Sequence, residues 1–272
     1  PHTLPVEVIG KLLADVATGN RVLPPYTTLI VDEAHHLEDA ATNALSYRLT
    51  QGEIERMLRE LGGPEAGALG WLLEAVKGTL SPSEYAAMHN QVDRITDLAF
   101  RFTSQARSFF STLEQFLIEQ REGRPPSTYT QQERILPATR SQPAWMEVEG
   151  GWDETNETLT PMVELLTQLV LTLAKFLELL EEEDRELHGS LSSLLRRFLE
   201  LHENLEAFVF KPNPERIYWV EMQPNTGRIA INAAPLEIGQ LMQKHFWYEK
   251  TAVILTSATL TAAGEFDYLR HR

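Results

Sequence analysis

No cysteine occurs among the 272 residues. Its absence excludes disulfides, cysteine-ligated zinc and cysteine-bound iron–sulfur clusters from this stretch, and it agrees with a reducing compartment. No apolar run reaches the roughly 20 residues of a membrane span. The opening Pro1-His2-Thr3-Leu4-Pro5 lacks the basic and apolar regions of a signal peptide, and with no leading methionine the chain is expected to be cut from something longer. Cationic residues are few: 24 Lys and Arg stand against 39 Asp and Glu, giving a net charge of -15 and a pI near 5.0. A surface this acidic repels phosphate backbones, so only a local basic groove is left for nucleic acid.

What is present is ordinary for a globular chain, with 43% hydrophobic residues. The length suggests one or two cores. Residues 6–17 read as a short helix that Gly19-Asn20 stops and Pro24-Pro25 keeps from resuming. Residues 27–31 (TTLIV) form a short β-branched apolar run that suits a strand buried on both faces, and residues 34–45 return to helical spacing. Beyond residue 51 the texture becomes helical. Short amphipathic helices are expected over 53–61 and 67–77, separated by Gly62-Gly63-Pro64.

Three long seams follow. Met88, Val92, Ile95, Ala99, Phe102, Ala106, Phe109, Leu113 and Phe116 alternate spacings of three and four, as in a coiled coil. Met162, Leu166, Leu169, Leu173, Phe176 and Leu180 make a second seam, and Leu191, Leu194, Phe198, Leu201, Leu205 and Phe208 a third. Each seam needs a partner, and an antiparallel bundle is the simplest solution. Between the first two seams, residues 121–158 are rich in proline and read as irregular, with short strands at 133–136 and 144–148 and tryptophans that anchor the segment to the bundle. After Pro212 and Pro214, Ile217–Met222 and Arg228–Ala233 flank the four-residue turn Pro224-Asn225-Thr226-Gly227. A helix over 235–248 and a second short buried strand over 251–255 (TAVIL) complete the chain's pattern. Two α/β ends around a helical middle point to an α/β domain interrupted by a helical insertion, both short strands sharing one sheet.

Chemistry concentrates where those strands end. Asp32 and Glu33 follow the first strand, at the carboxyl edge where open α/β sheets bind ligands. One carboxylate there can hold magnesium through oxygen or bound water, and its neighbour can deprotonate an attacking water. An arbitrary Asp-Glu pair more often just caps the following helix. Here the pair stands within Leu29-Ile30-Val31-Asp32-Glu33-Ala34-His35, and Thr256-Ser257-Ala258-Thr259 follows the second strand.

The first string resembles motif II of superfamily 2 helicases, and Leu255-Thr256-Ser257-Ala258-Thr259-Leu260 resembles motif III. A long helical block between them is similar to the layout of the DinG/XPD family, whose arch domain is inserted at this place. His36-Leu37-Glu38 after motif II, Ala234-Pro235-Leu236-Glu237 and Gly264-Glu265-Phe266-Asp267 agree with the resemblance. It implies an incomplete RecA-like, P-loop NTPase portion, α/β, made of residues 1–50 and 214–272, with an all-helical arch over 51–213. It also implies an ATP-dependent DNA helicase with ATP and magnesium as cofactors. Asp32 would coordinate the metal, Glu33 would activate water, and His35 would couple the nucleotide site to a second motor domain. Ser257 and Thr259 would couple hydrolysis to movement along DNA. The partner implied is single-stranded or forked DNA, travelled 5′ to 3′, in cytoplasmic DNA repair and not at a membrane. Alternative readings are a non-enzymatic helical module with a vestigial motif, or a DEAH-box RNA helicase carrying an unusual insertion.

The sequence also departs from a complete helicase. It holds no G-x-x-x-x-G-K-[ST] loop, and Gly10-Lys11 is followed by Leu12. Asp32, His35 and His36 match no zinc pattern, and consecutive histidines on a helix point to different faces. Arg94, Arg101 and Arg107 recur at near-heptad spacing. Such a stripe suits a solvated face first, and a guide for single-stranded DNA second. An apolar strand at 251–255 with no neighbour on one side is expected to promote self-association.

Overall fold

The computed structural model describes residues 2–4, 27–120, 130–176, 182–224, 226–243, 247–248 and 250–257; for 2–4, 182–185 and 240–241 it describes the backbone alone. The helix expected over 6–17 lies outside the described residues. Most described residues are helical, and two sheets accompany the helices. The chain divides into two compact units. One comprises residues 1–47, 213–218 and 232–272, and the other 48–212 and 219–231.

In the first unit, β1 (His2–Leu4), β2 (Thr28–Val31) and β7 (Ala252–Leu255) form a parallel sheet of order β1-β2-β7. The expected sharing of one sheet by the two motif strands holds residue for residue: Thr28 lies opposite Ala252 and Val31 opposite Leu255. Strand β1 is too short to carry a readable period and was not expected. After β2 the chain makes a 3₁₀ turn over Ala34–His36 and continues as α1 (Leu37–Leu45). Leu29, Val31, Ala34, Leu37, Ala41 and Met242 form this unit's core, with Val253 and Leu255 of β7 against it. The helix expected over 235–248 is shorter in the described residues: only α8 (Gly239–Met242) is α-helical there, and β6 (Ile229–Pro235) extends to the proline at which that helix was expected to begin.

In the second unit, α2 (Gln51–Leu61) and α3 (Gly67–Val76) precede the 38-residue α4 (Pro82–Glu119). Capping boxes start α2 and α4: Thr50 accepts from the Glu53 N–H and Ser81 from the Glu84 N–H, and each glutamate returns a bond to its cap residue's N–H. Losing such a cap typically costs about 1 kcal/mol. Gly62 ends α2 with φ 71°, and a Cβ there would fall 2.0 Å from the Ala66 carbonyl oxygen, so only glycine fits. All nine residues of the first seam are buried on α4. That helix packs chiefly against α6 (Pro143–Ala174), which packs in turn against α7 (Glu182–Val209).

The strand expected over 144–148 is instead the first turns of α6. Pro143 sits in the helix's first turn, where its missing N–H costs nothing. Trp145, Val148, Trp152, Thr155 and Leu159 then recur at helical spacing and are all buried. The helix runs through Gly150-Gly151 and Pro161, the residues that made the segment read as irregular. The strand expected over 133–136 is β4 (Gln131–Arg134), displaced by two residues and followed by the short α5 (Pro137–Arg140). Both tryptophans anchor the segment as expected: Trp145 meets Phe116 and Phe208 at ring-centroid distances of 5.2 and 5.6 Å, and the Trp152 indole donates 2.9 Å to Glu206.

The second sheet has the order β3-β6-β5-β4, adding β3 (Tyr47–Thr50) and β5 (Arg216–Met222); its strands contribute residues to both units. Strands β4 and β5 are antiparallel, with Arg134 opposite Trp219. The turn between β5 and β6 closes with the Gly227 N–H on the Gln223 carbonyl at 3.0 Å, Gly227 having φ 62°.

Candidate functional site

Strands β2 and β7 run parallel, so their carboxyl ends come out side by side. Two main-chain bonds join the segments leaving them. The Thr256 N–H donates to the Val31 carbonyl at 2.8 Å, and the Ala34 N–H to the Thr256 carbonyl at 2.9 Å. This clasp holds Asp32 and Glu33 opposite Thr256 and Ser257.

The side chains complete the junction. The Thr256 hydroxyl donates 2.6 Å to Asp32 Oδ1, which also accepts from the Glu33 N–H at 3.0 Å. The Thr256 bond, then the main-chain bond, holds the Asp32 carboxyl below its ordinary pKa against a smaller opposing effect of burial. Both bonds fall on Oδ1, so among the described residues Oδ2 faces solvent unengaged. Glu33 has φ 51° and ψ 42°, the one left-handed non-glycine residue described. That conformation costs a residue with a Cβ about 1–2 kcal/mol, and it sends two successive carboxylates to different partners.

Glu33 Oε2 lies 3.2 Å from His35 Nδ1 and accepts from the Ser257 hydroxyl at 3.4 Å, while His35 Nδ1 and Ser257 Oγ are 2.7 Å apart. Every donor is used when His35 Nδ1–H donates to Ser257 and the Ser257 hydroxyl donates to Glu33. The rings of His35 and His36 lie 3.8 Å apart between centroids. They stand on a short 3₁₀ turn, not on the regular α-helix that was expected to point them apart.

Asp32, Glu33, His35 and Ser257 thus meet in one exposed cluster, and Thr259 lies outside the described residues. Sequence reasoning passed over Thr256, whose hydroxyl makes the shortest bond of the junction. Its place one residue past an apolar strand, beside Ser257, was the available signal. Among the described residues no group of three or more His, Asp or Glu could hold a metal by itself. Asp32 offers one carboxylate oxygen to a hydrated cation, a donor set that suits magnesium when phosphate oxygens and water fill the other positions.

Arg94, Arg101 and Arg107 belong to α4 of the second unit, not to the unit that holds this junction. Arg107 Nε donates 2.8 Å to Glu55. Arg94 and Arg101 are exposed and line a groove between α4 and α6. Among the described residues no helix is long and apolar enough to cross a membrane.

No family model matches the chain. Two curated relatives do. A protein named 3′-5′ exonuclease DinG, from Bacillus subtilis, is 24% identical over 265 residues, which are 96% of this chain and 27% of that protein. An ATP-dependent DNA helicase DinG from Photobacterium profundum is 26% identical over 278 residues, 94% of this chain and 35% of that protein. Over nearly its whole length the chain is therefore similar to DinG-type proteins, as a segment spanning about a third or less of theirs.

Proposed function

We propose that this chain is the segment of an ATP-driven DNA helicase of the DinG type that runs from motif II to motif III. In this reading residues 1–50 and 214–272 belong to a RecA-like motor domain, and residues 51–213 are its inserted arch. The observation that carries it is the hydrogen-bonded junction between Asp32-Glu33-Ala34-His35 and Thr256-Ser257 at the ends of two adjacent parallel strands. Each half of the junction is a short motif, and the fold brings them within hydrogen-bonding distance across more than 220 positions of sequence.

In the longer protein, Asp32 is assigned to magnesium through Oδ2, with Thr256 fixing the carboxylate's rotation through Oδ1. A bound magnesium ion would neutralise charge on the β- and γ-phosphates of ATP. Glu33 is assigned to the attacking water: it accepts a proton as the water oxygen bonds to the γ-phosphorus and the bond to the ADP oxygen breaks. In the present geometry Ser257 and His35 both engage Glu33 Oε2, so a turn of the carboxylate toward the water would release them. That exchange would supply coupling, since His35 and Ser257 would change partners when the nucleotide site changes state, and Thr259 is assigned to the same coupling by its place in the motif. The work assigned to the whole protein is 5′-to-3′ movement on single-stranded DNA and opening of forked duplexes.

One relative's name supports a second reading. A protein called an exonuclease matches over the same segment, so the segment in this chain's parent is alternatively a vestigial motor serving as a scaffold for nuclease action. Unwinding by the longer protein separates the two. A forked duplex with a 5′ single-stranded tail, opened only when ATP and magnesium are present, supports the helicase. ATP-independent trimming of 3′ ends with no strand separation supports the scaffold.

A further inference from the structure

Helix α4 buries one seam and leaves Phe100 outside it. Neighbouring Ala99 and Phe102 are buried, whereas Phe100 is 80% exposed, the most exposed of the large apolar side chains described. A lone exposed phenylalanine is unremarked on many surfaces. This one stands between two grooves. On one side it lines, with Arg94, Arg101 and Gln168, a groove of about 830 Å³ between α4 and α6. On the other it lines, with Arg59 and Arg107, a groove of about 420 Å³. Arg107 is held by Glu55 at 2.8 Å. Arg94 and Arg101 have no hydrogen-bond or ion-pair partner among the described residues. They are seven positions apart on one helix, about two turns, and so share a face.

An exposed aromatic ring flanked by unpaired arginines is the combination that binds single-stranded nucleic acid: the ring stacks on a base, and the guanidinium groups meet phosphates. On a chain of net charge -15 a cationic edge of this kind is a local exception. The larger groove also holds Asp97 and Glu164. Those carboxylates repel phosphate, so the backbone must track the arginine edge while the bases turn inward, where Gln168 and the carboxylates meet base edges as acceptors and donors.

We propose that Phe100, with Arg94 and Arg101, forms a stacking contact for single-stranded DNA on the helical unit. The role assigned to that DNA rests on the helicase reading; the contact itself does not. The test uses this chain and a fluorescently labelled oligothymidine of about 15 nucleotides, within the span such sites cover. Anisotropy at low salt, about 50 mM, is expected to show binding that weakens as salt rises. Phe100→Ala is expected to lower affinity roughly tenfold or more with no change in melting temperature, because the side chain is exposed. Phe100→Tyr keeps the ring and is expected to keep the affinity. Arg94→Gln with Arg101→Gln is expected to flatten the log–log salt slope by about one to two. Oligouridine bound as tightly as oligothymidine would extend the site to RNA. No binding by the unaltered chain, or equal binding by Phe100→Ala, overturns the proposal. Either result leaves ATP hydrolysis and its dependence on Glu33 untouched, so this contact and the helicase reading fail separately.

Discussion

His35 Nδ1 lies 2.7 Å from Ser257 Oγ, across 222 positions of sequence. The same nitrogen is 3.2 Å from the Glu33 carboxylate, which also accepts the serine hydroxyl. Ser257 therefore bridges the two strand ends, and on the proposed reading its hydroxyl would carry a change at Glu33 to β7. In the longer protein Ser257→Ala is expected to leave ATP hydrolysis within a few-fold of normal while strand separation falls by about tenfold or more, the loss of roughly one net hydrogen bond to a charged group. Equal loss of both activities would place Ser257 in hydrolysis itself, against the coupling role.

The helical unit has its own core, in which Trp145 and Trp152 are fully buried between α4, α6 and α7. Residues 48–231 expressed alone are expected to show strong helical circular dichroism and one cooperative melt. Trp145→Ala is expected to lower stability by about 3–5 kcal/mol. A broad, non-cooperative transition in the unaltered segment would show that these helices need the rest of the chain.

This core was only partly legible in the sequence. The seams on α4 and α7 could be read because nothing interrupts their apolar period. The first half of α6 could not, because Pro143, Gly150-Gly151 and Pro161 signal loops wherever local preference decides. Trp145, Val148 and Trp152 override that signal through burial. The junction was legible for a different reason: two short apolar runs, each followed at once by polar residues, are strand ends in any parallel sheet. Strands β1 and β3 were not legible, since three or four residues carry no period, and Thr256 was passed over because its motif string does not say which hydroxyl meets Asp32.

Acid weakens a specific contact in this core. The indole N–H of Trp152, and less strongly Lys211, hold the Glu206 carboxyl below its usual pKa despite partial burial. A depressed folded-state pKa adds stability that is fully present above the unfolded value, about 4.3 for glutamate, and is lost as pH falls through the folded value. Melting followed between neutral pH and pH 3 is expected to show the unaltered chain losing its advantage over Trp152→Phe in the acid range. A difference between the two that stays constant with pH would mean that the carboxylate contributes nothing through this bond.

Strand β7 pairs with β2 on one side only among the described residues, and Ile254 is 49% exposed. An apolar strand with a bare edge is a template for another chain. The net charge of -15 opposes association, but at about 0.15 M salt its reach is only about 8 Å. Sedimentation across a range of concentrations is expected to show dimers or larger species that Ile254→Lys reduces. A monomer at every concentration would contradict the edge argument.

The central claim is that Asp32 and Glu33 are the hydrolytic half of an ATP site whose phosphate loop is not among these 272 residues. The chain alone is accordingly expected to release no phosphate from ATP above background. The most direct measurement compares the longer protein with its Glu33→Gln variant, reading phosphate release and ATP binding on the same samples. The substitution removes the proton acceptor and keeps the shape, so hydrolysis is expected to fall by at least about 10²-fold with ATP affinity nearly unchanged. Hydrolysis that survives Glu33→Gln at the unaltered rate would contradict the account.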